Sequence, residues 1–242
     1  MNASRDSDGS RLACEVRQSD YNRLLGLPRH RPLEGLVAER AQWARDWYAR
    51  HGSPFIRMRR YAIVEIGPDA VRLEGGVRLA SRALAERLGK WATHAVVALA
   101  ATAGAEVDEA SRRMWQDGYP DEAFFLERFG AAVVEQLIVS ATPGGCRQTA
   151  GDPEALTPHL SPGCGSWNLG GQRRLWAAVF PAGEPGPIRV LESGGLYPKN
   201  SMLAAAGVTR CAVSASPSDA CRACDRRRCA FRRAAHRPVW SS

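Results

Sequence analysis

The run Leu160-Ser161-Pro162-Gly163-Cys164-Gly165-Ser166-Trp167-Asn168-Leu169 gathers a thiol, hydroxyls, an indole and glycines that let backbone approach a ligand closely. It is too rich in turn-formers to be core, and it stands just ahead of a helix-like run. Downstream, Glu192-Ser193 closes an apolar strand, where the carboxylate either faces a cationic group or lies at a solvated edge. Pro198-Lys199-Asn200-Ser201 follows. Tyr197 and Lys199 can act there as proton carriers or hydrogen-bond donors, because a desolvated lysine lowers its pKa readily. Glu135, on an apolar helical stretch, is either a second anionic partner or a satisfied helix residue. Cys164 is either a base or a small side chain that packs as a hydrophobe.

A second constellation lies near the end of the chain. Cys221-X-X-Cys224-X4-Cys229, with Cys211 upstream as a fourth, has the close spacing that lets thiolates converge on Zn²⁺ or an iron–sulfur cluster. The other readings are reduced thiols in a flexible tail or a redox disulfide. Seven cysteines in a cytoplasmic chain do not imply a disulfide framework.

These residues need elements to position them. Leu36, Val37, Ala41, Ala44, Trp47 and Tyr48 recur at helical spacing, and the pattern stops at Gly52-Ser53-Pro54. Between Phe55 and Leu73, β-branched and aromatic residues flank the turn signal Gly67-Pro68-Asp69, which predicts two strands. A helix over Leu79 to Leu88 and a buried strand over His94 to Ala101 follow. Two helices come next, about Ala105 to Trp115 and Pro120 to Ala141, the second apolar on more than one side and so central to the core. After a Pro- and Gly-rich connection, Leu169 to Phe180 reads as a helix, and Ile188 to Leu191 and Gly207 to Val213 as strands. Residues 1–20 read as a flexible N-terminus, 21–216 as the folded domain and 217–242 as a Cys- and Arg-rich tail.

The chain has 242 residues, 45% hydrophobic and 24% charged, which describes a globular protein rather than a disordered one. The formal net charge is +8, yet the arginines are scattered, and the runs Arg226-Arg227-Arg228 and Arg232-Arg233 read as a solvated tail. No basic stripe with interleaved aromatics is present, so nucleic acid is not expected as a partner. No apolar run reaches the roughly 18 to 20 residues that span a bilayer, and the first residues lack the apolar centre of a signal peptide. A cytoplasmic location without membrane association is the resulting expectation. Oligomeric state is not legible.

The order of motifs carries a resemblance. A Ser-Pro-Gly-X-Gly element (161–165), Trp167-X-Leu169-X-X-Gln172, Glu192-Ser193 and Pro198-X-X-Ser201 resemble the AdoMet-binding activation domain of cobalamin-dependent methionine synthase and its stand-alone relatives. Ala101-Thr102-Ala103-Gly104-Ala105-Glu106-Val107-Asp108 resembles those proteins' Leu-Gly-X-X-Val-Asp segment in the same order, so the similarity covers nearly the whole chain. The resemblance implies an α+β fold, with a mixed, mostly antiparallel sheet and packed helices. It also implies AdoMet as the small-molecule ligand, with His159, Ser161, Gly163, Gly165, Trp167, Glu192, Ser193 and Glu135 around it. Where the family has Arg-X-X-X-Gly-Tyr, this chain has His159, Gly163 and Cys164, so the Arg and the Tyr are absent and the usual carboxylate clamp is in question. Stand-alone relatives end in a similar Cys-rich tail followed by an aromatic and an Arg, matched by Phe231 and Arg232.

Three functions follow from the resemblance. In methionine synthase the domain brings AdoMet's methyl group to a corrinoid; this sequence has no Asp-X-His-X-X-Gly lower-ligand motif, so that role implies a corrinoid protein acting in trans. The favoured alternative makes AdoMet the substrate, cyclised to 1-aminocyclopropane-1-carboxylate with release of methylthioadenosine and without pyridoxal, with Cys164, Tyr197 or Lys199 as base. Positioning alone contributes roughly 7 to 11 kcal/mol in the best intramolecular displacements. The third function is AdoMet binding without catalysis.

Overall fold

The computed structural model describes residues 5–8, 16–141, 154–181, 184–210, 221, 229 and 232–234. In chain order the elements are β1 (Arg5–Asp8), α1 (Gln18–Leu24), α2 (Gly35–His51), β2 (Phe55–Ile66), β3 (Ala70–Leu73), β4 (Arg78–Ala80), α3 (Arg82–Lys90), β5 (Ala95–Thr102), α4 (Ala105–Gln116) and α5 (Pro120–Ala141). They continue with β6 (Ala155–Leu156), α6 (Gly171–Val179), β7 (Arg189–Val190), β8 (Leu196–Tyr197) and β9 (Ser201–Thr209).

The main sheet runs β4-β3-β2-β5-β9-β6, with β1 added to the first half of β2, and every pairing among the described residues is antiparallel. β7 and β8 form a separate hairpin. The α+β class expected from the sequence is the class observed.

Helices cover both faces of the sheet, which explains the apolar run of β5. Leu99 and Ala101 face a cluster with Tyr21, Tyr48, Val107, Phe129 and Leu137 from α1, α2, α4 and α5. Val96, Ala98 and Ala100 face the other way, toward Leu84, Leu88, Trp167, Leu175 and Phe180. β9 alternates likewise, Ala204 and Ala206 to the first cluster, Leu203 and Ala205 to the second. A strand buried on both faces loses the polar alternation that marks a half-exposed one.

Three expectations shift. The strand placed at Gly207 to Val213 begins at Ser201 instead, and its alanines pair with β5 from Thr102↔Ser201 to Ala95↔Val208; residues 211–213 lie outside the described residues. The helix placed at Leu79 begins at Arg82, because Arg78–Ala80 pairs with β3 and the Ser81 hydroxyl caps the helix by accepting from Leu84 N–H at 3.1 Å. Leu36 and Val37, part of the apolar spacing of α2, are 56% and 40% exposed, so its inward face starts at Ala41. Within the segment read as a flexible N-terminus, Arg5–Asp8 pairs with β2, and α1 starts at Gln18. Among the described residues no helix is long and apolar enough to cross a membrane.

Candidate functional site

The motif loop is fastened to the sheet at its first residue. Leu160 and Ala205 exchange both backbone hydrogen bonds at 2.8 Å, which anchors the loop to the edge of β9 at that point. The loop then closes on itself. Cys164 N–H donates to Ser161 O at 3.0 Å and Gly163 N–H to Trp167 O at 2.7 Å. Gly163 and Gly165 have φ of 91° and 55°, the left-handed conformation that glycine adopts without a Cβ penalty. Ser161 is half-buried and Cys164 is exposed. Trp167 is buried beneath the loop in the core, its Nε1 without a partner among the described residues. The indole shapes the loop from below.

Leu169 joins this loop to the second motif. Its side chain lies 3.1 Å from where a Cβ on Gly163 would stand, and it also meets Gly194 at 3.5 Å by the same measure. The β7–β8 hairpin is thereby seated against the loop. Glu192 and Ser193 lie exposed in its turn, with the Ser193 hydroxyl accepting from Gly195 N–H at 3.3 Å. Tyr197, at the end of the hairpin, is half-buried with the Arg189 guanidinium 4.8 Å over its ring.

The third and fourth motifs meet at the start of β9. Ala103 N–H and the Thr102 hydroxyl both donate to Asn200 O, at 2.9 and 3.1 Å. Lys199 N–H donates to Asp108, and Lys199 Nζ pairs with Glu127 of α5. Burial raises the Asp108 carboxyl above the usual carboxylate range, against the lowering effect of the Lys199 backbone and charge. Its Oδ1 is buried without a partner among the described residues. Lys199 is exposed and ion-paired, which is not the desolvated setting that turns a lysine into a base.

Between these two assemblies the β9 edge is open. β6 covers Val208 and Thr209 and Leu160 bridges Ala205, so among the described residues no strand pairs with 201–204 on that side. Four residues of strand span about 13 Å.

Glu135 meets a residue that the sequence placed in the solvated tail, Arg233. Glu135 is 5% exposed and pairs with both Arg23 of α1 and Arg233, the latter at 3.0 Å. Burial first, then Arg233 and Arg87, push the His159 imidazole down to about 4, so it is neutral near pH 7 and brings no positive charge to the loop. Arg233 is 15% exposed, which corrects the solvated reading for that position; 226–228 lie outside the described residues. The spacing of Arg23 or Arg233 held no signal of this meeting, because neither belongs to a motif.

Of the four cysteines assigned to a metal, Cys211 and Cys224 lie outside the described residues. Cys221 and Cys229 are half-buried and not disulfide-bonded, and Cys221 Sγ accepts from Arg233 N–H at 3.4 Å. Among the described residues no group of three or more His, Cys, Asp or Glu stands as a metal site.

An antiparallel sheet covered by helices on both faces, with a glycine-rich loop and a hairpin along one strand edge, defines the class of fold. No family model and no curated protein match the sequence. Among solved structures, the fold is similar to that described as the crystal structure of the MetH reactivation domain bound to AdoHcy, with a TM-score of 0.62 and 10% sequence identity over 90% of this chain and 81% of that one. The chain therefore has the fold of that reactivation domain.

Proposed function

We propose that this chain binds AdoMet along the β9 edge, between the 159–167 loop and the residues around Tyr197 and Asp108. The observation that carries the reading is that, in a fold similar to that of an AdoHcy-bound domain, the 160–165 motif is fastened to β9 at Ala205 while the Lys199 and Asp108 motifs meet just before the start of that strand. Gly163 and Gly165 allow close backbone approach, and Glu192 and Asp108 are the carboxylates that would meet the ammonium and sulfonium.

The reaction we favour is cleavage of AdoMet itself. A base removes the Cα proton, Cα bonds to Cγ, the Cγ–S bond breaks, and its electron pair leaves with sulfur as methylthioadenosine. Supporting this is the altered loop: a neutral His159 and an exposed Cys164 stand where the methyl-donating pattern has Arg and Tyr. Of the three base candidates, Lys199 is the least apt because it is exposed and ion-paired with Glu127. Methyl transfer to a corrinoid protein in trans is the second reading, favoured by the fold itself.

Purified protein incubated with AdoMet alone and analysed by mass spectrometry decides between them. The lyase yields 1-aminocyclopropane-1-carboxylate and methylthioadenosine in equal amounts. Absence of both, with methylcobalamin appearing once a corrinoid protein and a reductant are added, transfers the assignment to reactivation.

A further inference from the structure

Helices α2 and α4 both pack against α5, and between them lies a groove of about 550 Å³, a volume in the range of small-molecule sites. None of the residues assigned to AdoMet lines it. Trp47 and His51, one helical turn apart on α2, form one wall, with ring centroids 4.9 Å apart. Glu106, Glu109 and Asp117 of α4 form the other, with the apolar Ala110 and Met114 on the same face. Tyr119, 58% exposed, stands just past the end of α4.

The charge of this groove runs against the charge of the chain. Lysine and arginine outnumber aspartate and glutamate by 33 to 25, yet among the described residues none of the three carboxylates is in an ion pair. Arg113, the guanidinium in the lining, donates from Nε to Glu109 O at 3.3 Å, a backbone carbonyl of its own helix. Glu106 Oε2 is buried without a hydrogen-bond partner among the described residues. A carboxylate so placed draws a cation, and the aromatic faces opposite add to that attraction. Shape then narrows the cation. Glu106 and Asp117 stand three turns apart, about 16 Å along the helix axis. A compact ion meets one end only, whereas a chain with ammonium groups at both ends meets both and lays its methylenes over Ala110 and Met114.

We propose that the groove between α2 and α4 binds a linear aliphatic polyamine, with ammonium groups at the Glu106 and Asp117 ends and its methylenes along Met114 and the Trp47 ring. The site is separate from the one proposed for AdoMet and stands without it.

The test is calorimetric titration of the full chain, at about 0.15 M ionic strength, with spermine and with hexaamminecobalt(III), a compact cation of similar charge. One spermine is expected to bind per chain, about tenfold more tightly than the compact ion, the margin that aromatic and methylene contacts add. Tyr119→Ala is expected to weaken spermine about 2- to 5-fold, and Glu109→Gln combined with Asp117→Asn about 3- to 10-fold. All three positions are exposed, so the fold is not at stake. Asp69→Asn, which removes the same charge from the β2–β3 turn, leaves spermine binding unchanged. No binding by the wild type, equal affinity for the two cations, equal weakening by Asp69→Asn, or a groove variant that binds as the wild type does overturns the site.

Discussion

His159 shows how one side chain's environment decides its chemistry. As a residue type it is a conditional cation; in place, burial and two nearby arginines push it down to about 4 from an ordinary 6.5. The unfolded chain therefore binds a proton that the folded chain refuses between pH 6.5 and 4, and stability falls as pH falls through that window. The contribution at pH 4.5 is about 2 kcal/mol of destabilisation relative to pH 7.5. His159→Gln should lose this part of the acid sensitivity, so urea unfolding at the two pH values narrows the gap by that amount; an unchanged gap would mean that the imidazole titrates normally. The same scale explains why Glu135 was legible as a candidate but its partners were not. A Glu on an apolar helix stands out in sequence, whereas Arg23 and Arg233 are two arginines among many.

At the scale of elements, β9, on whose edge the site is proposed, is the strand the sequence disguised most. Its alanines lack the β-branching that marks strands, and they sit there because helices press on both faces of the sheet and leave little room. Gly207 leaves no room for a side chain: a Cβ there would stand 2.5 Å from Thr93 Cγ2 and 2.6 Å from Leu88 Cδ2. Gly207→Ala should cost about 1 to 3 kcal/mol, the usual penalty of overpacking. Chemical denaturation checks it, and a variant as stable as its parent would show that α3 yields freely. The helices were easier to read than this strand. α5 and α4 follow the predicted ranges closely because their apolar periodicity is local, whereas the boundary at Ser81 depended on β4 pairing with β3.

For the whole molecule, the proposed site draws loop, hairpin and sheet edge from distant parts of the chain, so a ligand bound there couples to folding. A ligand that binds only the native state stabilises it by about 2.7 kcal/mol at a hundredfold excess over Kd. For a chain of this size that raises Tm by about 5 to 10 °C. Thermal unfolding with AdoHcy should show this shift and with homocysteine alone a much smaller one, since the proposed loop contacts are to the nucleoside; equal shifts would move the site away from the loop.

The sequence by itself determined the glycine-rich loop, the core helices and the order of motifs, because each depends on residues close together in the chain: turn formers, apolar periods and short spacings. Only the tertiary structure decided what those residues meet. It seated the Glu192 hairpin on the 159–167 loop through Leu169, joined Lys199 to Asp108 and Glu127, and set Arg23 and Arg233 on either side of Glu135. Charge balance in a buried site depends on which groups converge in space, and a linear pattern carries no term for that.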